Sequence, residues 1–429
     1  CGSMAHMSTA VRFPLHATTL DNGLRVIVSP DRTVPMVAVN IWFDVGSRDE
    51  RPGRTGLAHL FEHLMFEGSA QVASGEHLAT IQGVGGSANA TTWFDRTNYF
   101  ETVPTNALDL ALWLEADRLG SLRLTQHTLD NQRDVVLEEK RQRYDNVPYG
   151  DVLIHLVGLT FPAGHPYAHP TIGSMDDLAA ADLDDVRGFF ATHYAPDNAV
   201  LTLVGDVDPA DALLRVERYL GGAAAAARGP RPPAVPLPPL SGVPRAEVAA
   251  DVPTDAAYAT WRLPARDTRD FTALELALAI LGDGQTSRLH RRLVRTDAIA
   301  EGAGASALGL IGGNSIGFAQ ARALAGVPAE TLEEAMVEEV TRLVTDGPRA
   351  AEVDRAKAQF EREWLAQLGR FDSRADLIGC YATLYGDPSL VNRHLDEVLS
   401  LSLDEIADAA RRHLQPGQRA MLSYRKESA

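Results

Sequence analysis

The sequence predicts an α+β fold built from two halves of similar order. Short β-type runs and longer segments of helical periodicity alternate along the whole chain. An alanine- and proline-rich stretch, residues 221–240, separates two such series, and consecutive prolines favour an extended chain. The length of 429 residues is also too great for one ordinary core. We therefore predict two domains, residues 8–220 and 241–429, joined by a linker at 221–240.

In the first half, Asn22-Gly23 stands between two apolar runs, a strong signal for a β-hairpin. Residues 36–45 predict the next strand, and an apolar helix between Gly56 and Gly68 follows it. Further strands are predicted at 87–94, 97–103 and 199–204, and further helices at 77–84, 106–119 and 128–143.

The second half loosely repeats this order. A strand is predicted at 257–263 and a long helix at 271–281, and a glycine-rich turn at 282–284 leads into another helix. Ser402 and Glu405 have the spacing of a capping box before the last helix. The similar order of the two halves is weak evidence for an internal duplication.

The helix after Gly56 contains the motif His59-Leu60-Phe61-Glu62-His63. Residues four apart lie on one helix face, so His59 and His63 can offer two imidazole nitrogens to one metal ion. Glu62 lies nearly on the same face, where a carboxylate can take a proton from water at the metal. The order H-x-x-E-H is the inverzincin signature and predicts a zinc hydrolase. The alternative is a helix with two incidental histidines.

Zinc in a hydrolase commonly has three protein ligands. The helix around residues 135–141 supplies two candidates, Glu138 and Glu139, which point about 100° apart, so only one can face the metal. Helical periodicity does not decide between them. An ordinary solvated glutamate is the alternative for either one.

Together with the helix motif, several runs resemble the pitrilysin family, which includes insulin-degrading enzyme and the mitochondrial processing peptidase. These runs are Asn89-Ala90-Thr91, the 135–141 helix, Gly164-His165-Pro166-Tyr167, His193 to Asn198 with Gly205-Asp206, and Ser287-Arg288-Leu289. The resemblance extends over essentially the whole chain after residue 7. Its most specific part is the zinc motif with a distant glutamate.

The resemblance implies two homologous α/β-roll domains per chain, which form half of a four-domain, clam-shaped chamber. It assigns Glu139 as the third zinc ligand and makes Gln132 a candidate outer partner, at the position where many relatives have a supporting glutamate. It also implies that Asn89 and Ala90 hold the backbone of a peptide that adds as a strand.

Active chambers of the family also use an Arg…Tyr pair from the far half. The corresponding region here, residues 293–301, contains Arg295, but Glu301 stands about where the tyrosine is expected. A carboxylate cannot donate the hydrogen bond that a phenol gives to a developing oxyanion. We therefore expect a catalytic subunit that works with a related second subunit, or otherwise a homodimer.

The net charge of −17 argues against nucleic acid as a partner, and no apolar run is long enough to span a bilayer. Residues 1–7 are predicted to be an expression scar, which leaves Cys380 as the one native cysteine and excludes an internal disulfide framework. No signal peptide follows, which predicts a cytoplasmic bacterial protein. A periplasmic or secreted protein is the alternative if a signal peptide has been removed.

The sequence thus predicts a Zn²⁺-dependent endopeptidase that acts on peptides or unfolded segments, with Glu62 as general base and His59, His63 and Glu139 as ligands. A non-catalytic scaffold subunit of a complex is one alternative, and the intact motif weighs against it. A dedicated leader-peptide maturation protease is another, and no residue distinguishes it from a general peptidase.

Overall fold

A computed structural model describes residues 12–226 and 234–427 of the chain. The predicted expression scar at 1–7 and the middle of the predicted linker lie outside these ranges. The described residues form two β-sheets with helices packed on both faces. The predicted α+β class is therefore confirmed, while the domain boundaries given above stay predictions.

The sheet of the N-terminal half has six strands in the order β1-β2-β6-β3-β5-β4. Strands β2 and β6 are parallel, and all other neighbours are antiparallel. The strands are β1 His16–Thr19, β2 Arg25–Pro30, β3 Met36–Phe43, β4 Ser87–Thr92, β5 Thr97–Pro104 and β6 Ala199–Gly205. The predicted hairpin is present, since β1 pairs with β2 around a turn that includes Gly23 at φ 89°.

Eight α-helices belong to the described part of this half. They are α1 Leu57–Leu64, α2 Glu76–Gly83, α3 Leu108–Ser121, α4 Gln126–Lys140, α5 Val152–Thr160, α6 Met175–Ala180, α7 Leu183–His193 and α8 Pro209–Leu220. Helix α4 begins earlier than predicted because Thr125 caps it, its hydroxyl accepting from Thr128 N at 3.2 Å. It then widens into a π-helical turn, Arg141–Asp145.

The C-terminal half has a five-stranded sheet in the order β7-β11-β8-β10-β9. Its strands are β7 Arg245–Ala250, β8 Ala256–Pro264, β9 Ala300–Leu308, β10 Asn314–Ala323 and β11 Ala420–Lys426. Its helices are α9 Arg269–Gly282, α10 Ala329–Asp346, α11 Ala350–Leu368, α12 Phe371–Leu384, α13 His394–Ser400 and α14 Leu403–His413, with a π-helical turn at His290–Thr296. The predicted capping box is present at Ser402, whose hydroxyl accepts from Glu405 N at 3.1 Å.

The two sheets have the same topology once β1 is set aside. In each, the first strand pairs in parallel with the last, and the second lies between the last and the fourth. The third strand, β4 or β9, forms the outer edge. This shared order supports the internal duplication that the sequence indicated.

The two halves exchange helices across their interface. Helix α12 of the C-terminal half packs on β3 and β6, and α5 of the N-terminal half packs on β8 and β11. Trp42 and Ile378 belong to the first contact, and Leu156 and Tyr424 to the second. Each sheet therefore has its own helices on one face and a helix from the other half on the opposite face.

Within the described ranges, no helix combines the length and the apolarity that a bilayer-spanning segment needs.

Candidate metal centre

Helix α1 is anchored at its start by a buried carboxylate. The two oxygens of Glu50 accept hydrogen bonds from Gly56 N at 2.9 Å and Ala58 N at 2.8 Å. A carboxyl group here fits the partial positive charge at a helix N-terminus. Burial raises the pKa of Glu50 to about 8, and the two backbone hydrogen bonds act against that rise. The apolar face of α1, including Leu60 and Phe61, lies in the core, so its rotation is fixed.

The opposite face of α1 presents the two predicted histidine ligands to helix α4. Nε2 of His59 lies 3.6 Å from Oε2 of Glu139, and Nε2 of His63 lies 3.3 Å from the same oxygen. The imidazole rings are 4.9 Å apart and nearly perpendicular. His59 is buried, while His63 and Glu139 are half-buried. The structure thus brings Glu139 next to two histidines that precede it by 80 and 76 positions. The three residues lie on two packed helices.

This group fits a zinc ion. The three candidate ligand atoms all lie within 4.8 Å of one another. Ligand atoms about 2.0–2.1 Å from a tetrahedral zinc are about 3.3 Å apart, close to the distances found here. Two imidazole nitrogens and one carboxylate oxygen are also a donor set of hydrolytic zinc sites, with a fourth position left for water.

The protonation states favour the same arrangement. Burial lowers the pKa of the His59 imidazole, although the nearby charges of Glu139 and Glu62 raise it. Its contact with His63 lowers the pKa of Glu139, in spite of burial, and His59 and Arg143 add to this effect. Neutral imidazole and ionised carboxylate are the forms that bind metal.

Arg143 is a member of the site that the sequence analysis missed. Its Nη1 donates to Oε1 of Glu139 at 2.5 Å, which leaves Oε2 directed at the two histidines. The signal was available, because Arg143 follows Glu139 by four residues, the spacing of a helical ion pair. Such a partner orients a ligating carboxylate.

The structure places Glu138 and Glu139 in different surroundings, whereas helical periodicity did not decide which of them faces the metal. Glu138 accepts a hydrogen bond from Gln142 at 2.8 Å and lies 3.5 Å from Arg141, on the exposed side of α4. Gln132 is buried, and its amide donates to Glu67 at 2.7 Å rather than to any of the predicted ligands. Gln132 therefore ties α4 to the segment after α1.

Glu62 is half-buried on the same helix as the two histidines. Among the residues that the structure describes, none forms a hydrogen bond or an ion pair with its carboxylate, so the group is available to a proton donor at the site. Arg295 and Glu301 lie elsewhere, in the C-terminal half. Arg295 donates to Gln285 at 3.3 Å, and Glu301 lies 3.9 Å from Arg322.

The predicted peptide-binding residues are on β4, the outer strand of the N-terminal sheet. Asn89 is exposed and Ala90 is buried, and the Asn89 side-chain oxygen accepts from Ala90 N at 2.9 Å. One row of backbone groups on an outer strand is unpaired. Helix α1, which carries both histidines, packs against β4.

A second buried group of possible ligands consists of His77 on α2, Glu101 on β5 and Glu115 on α3. Here a side chain already supplies the positive charge. Arg118 forms an ion pair with Glu115, and its guanidinium lies 4.6 Å from the centre of the Tyr99 ring. Burial raises the pKa of Glu101 to about 7 and lowers that of His77 to about 3. Glu115 in this group therefore already has a cationic partner in Arg118.

An H-x-x-E-H helix facing a glutamate on a second helix, inside a duplicated α+β chain, is the arrangement of the inverzincin class of metallopeptidases. Comparison with known families agrees with this class. The family model described as insulinase, peptidase family M16, matches residues 25–173, and the model described as the peptidase M16 inactive domain matches residues 180–360. The chain belongs to peptidase family M16, the pitrilysin family.

Individual relatives support this result along the whole chain. The zinc protease PqqE of Helicobacter pylori is 29% identical over 425 residues, which are 96% of this chain and 94% of the relative. The crystal structure of a protease from Helicobacter pylori superposes with a TM-score of 0.91 at 27% identity, over 97% of this chain and all of that one.

A third similarity concerns the fold alone. The periplasmic protease PqqL from Escherichia coli superposes with a TM-score of 0.78 at 18% identity. The match covers 97% of this chain but 48% of PqqL. The present fold therefore corresponds to about half of that longer chain, as the predicted half-chamber requires.

Proposed function

We propose that this protein is a zinc-dependent endopeptidase whose ligands are His59, His63 and Glu139. The observation that supports this most directly is the convergence of both Nε2 atoms on one oxygen of Glu139, at 3.6 and 3.3 Å. When bound, Zn²⁺ supplies the Lewis acidity that activates water at neutral pH and polarises the scissile carbonyl.

The residues of the chain have separate roles in this proposal. Glu62 takes the proton of the attacking water on its carboxylate and later gives it to the leaving amine. Arg143 holds Glu139 in the orientation that directs Oε2 at the histidines. Glu50 fixes the start of α1, so that the two imidazoles and Glu62 keep their relative positions.

The substrate is a peptide or an unfolded segment that adds as a strand to the open edge of β4. This mode uses the backbone of the substrate and suits many sequences. Asn89 and Ala90 are the contact residues. Because Asn89 now occupies the N–H of Ala90, its side chain must turn away when a substrate backbone binds there.

A second chain completes the chamber in this proposal. The fold corresponds to 48% of the chain of PqqL, which is about twice as long. A related subunit that supplies the Arg…Tyr pair is the expected partner, because Glu301 stands about where the tyrosine is expected. A homodimer is the alternative, and the mass of the complex purified from native extract separates the two.

The decisive experiment compares Glu62→Gln with Glu138→Gln in the zinc-loaded protein with its partner present. Both changes are isosteric, but Glu138 is exposed and directed away from the histidines. Glu62→Gln should lower kcat by at least about 100-fold and leave zinc content unchanged, because general-base catalysis typically contributes that much. Zinc content is measured by elemental analysis and turnover with an internally quenched peptide.

Near-normal turnover of Glu62→Gln would refute the assigned general base. A native protein that binds no zinc and hydrolyses no peptide with its partner would instead support the scaffold subunit. A cleavage screen against a peptide library then distinguishes a broad peptidase from a maturation protease with one substrate.

A further inference from the structure

A cavity of about 380 Å³ lies in the C-terminal half between helices α9, α12 and α13. This volume is within the range of small-molecule sites in proteins. It is lined by side chains from all three helices and from the segment before α9, among them Arg266, Thr272, Glu275, Tyr381, Tyr385 and His394. None of the predicted zinc ligands is among its lining residues, so any ligand bound here would be separate from the candidate metal centre.

Arg266 is a cation that lines this cavity without a carboxylate as its ion-pair partner in the described part of the chain. Its hydrocarbon stem packs closely against Gly309, where a side chain larger than hydrogen would collide with it. Its Nη1 donates to Sγ of Cys380 at 3.7 Å, and the guanidinium lies 5.9 Å from the centre of the Tyr385 ring. Within residues 12–226 and 234–427, no carboxylate forms an ion pair with it. Arg266 is half-buried, and a guanidinium at such a position is commonly paired with an anion.

Glu275 is the complementary group. It lies on α9, lines the same cavity, and has no hydrogen-bond or ion-pair partner in the described part of the chain. Burial raises its pKa to about 7, and the positive charge of Arg266 opposes this rise. Arg266 and Glu275 therefore line the same cavity and do not form an ion pair with each other.

The other charges around the cavity limit which ligand fits. Asp267, Glu397 and Arg269 also line it. Arg269 is already paired with Glu405 at 2.7 Å, so a doubly charged phosphate would meet more carboxylates than free cations. Burial, together with the charge of Arg266, lowers the pKa of His394 to about 4, so this imidazole adds no positive charge at neutral pH. The aromatic rings of Tyr381 and Tyr385, 5.4 Å apart, offer an apolar and cation-tolerant wall.

We propose that this cavity binds a small zwitterion, an α-amino acid, with its carboxylate on Arg266 and its ammonium group on Glu275. Arginine binds a carboxylate through two parallel hydrogen bonds, which gives the site its orientation. The side chain of the amino acid lies against Tyr381 and Tyr385. One ligand thus pairs with both Arg266 and Glu275.

The test is isothermal titration calorimetry of the full zinc-loaded chain with each of the twenty free L-amino acids. At least one should bind with a dissociation constant below about 1 mM. Its N-acetyl derivative lacks the ammonium group and its amide lacks the carboxylate, so each should bind at least tenfold more weakly. Acetate alone should bind no better than these derivatives.

Variants test the assigned contacts. Glu275→Gln keeps the shape of the side chain and should weaken binding at least tenfold, as should Arg266→Gln. Arg411→Gln is the control and should leave binding unchanged. Arg411 is an exposed residue of α14 that pairs with Asp408. If Arg266→Gln does not fold, Glu275→Gln remains decisive.

Three results would overturn the proposal. They are the absence of binding by all twenty amino acids, equal binding of the blocked derivatives, and unchanged binding by Glu275→Gln. None of these results depends on peptide hydrolysis. The proposal can therefore fail while the zinc peptidase assignment stands, and the reverse also holds.

Discussion

The guanidinium of Arg143 holds Oε1 of Glu139 at 2.5 Å, while Oε2 of the same carboxylate faces the two histidines of helix α1. One glutamate thus connects an exposed arginine to the candidate metal position. The arginine lies on the π-helical turn that follows α4. That turn therefore contributes to the site, although none of its residues is a predicted ligand.

Replacement of Arg143 by glutamine should weaken zinc binding by about tenfold, the lower end of the effect of an outer partner, because Arg143 is 73% exposed. Arg141→Gln is the matched control, since Arg141 is also exposed and its nearest carboxylate is that of Glu138. Competition with a chelator of known affinity measures both variants. Equal zinc affinity of the two would show that Arg143 does not orient the ligand.

Variants of the two adjacent glutamates of α4 test the third ligand more directly. Glu139→Ala should lose most of the bound zinc, because it removes one of three ligands, and Glu138→Ala should retain it. Elemental analysis after gel filtration measures the metal in both variants, and circular dichroism confirms that both are folded. Loss of zinc from Glu138→Ala alone would mean that the third ligand has been assigned to the wrong residue.

Local features of this chain could be predicted from its sequence. The His59–His63 spacing needs only a helix, and the Asn22-Gly23 hairpin needs only a turn, so each depends on residues a few positions apart. The choice between Glu138 and Glu139 is different. It depends on how α4 is rotated against α1, which tertiary packing decides, and periodicity left it open for that reason.

Contacts between distant parts of the chain could not be predicted from its local patterns. The exchange of α5 and α12 between the two sheets leaves no signal in the sequence, because no pattern within either helix indicates the sheet on which it packs. The pairing of Asp95 with Ile311 joins residues 216 positions apart. The donor is the backbone N–H of Ile311, and no motif at either position predicts the other.

Asp95 connects the edge hairpin of the N-terminal sheet to the C-terminal half. Its carboxylate accepts from Ile311 N at 3.1 Å and from the Tyr167 hydroxyl at 2.5 Å, and it pairs with Arg48 at 2.9 Å. Asp95→Asn leaves the Arg48 charge buried without its counter-ion. The free energy of unfolding should fall by about 3–5 kcal/mol, the cost of breaking a buried pair.

Urea denaturation followed by tryptophan fluorescence measures this change, with Asp184→Asn, at a 92% exposed position, as the control. Because the hairpin contains β4, Asp95→Asn should also raise KM for peptides more than it lowers kcat. A loss of stability equal to that of the control would show that Asp95 does not hold the two halves together.

The last prediction concerns stability in acid and depends on Glu352, at the start of α11. Burial disfavours its charge, but hydrogen bonds from Arg288 at 2.7 Å and Arg349 at 2.8 Å outweigh burial and lower its pKa to about 2. The pKa is lower in the folded state than in the unfolded one. The ionised carboxylate therefore makes its full contribution to folding stability above the ordinary pKa of 4.5. This contribution is lost as the pH falls from there toward 2.

Urea midpoints at pH 7, 5, 4 and 3 should therefore fall more steeply below pH 5 for the native protein than for Glu352→Gln, which cannot titrate. The variant should be less stable at pH 7 and should approach the native protein at pH 3. Glu363→Gln, at an exposed position of the same helix, should show the native pH dependence. Parallel curves for the native protein and Glu352→Gln would mean that the two arginines do not stabilise the ionised carboxylate.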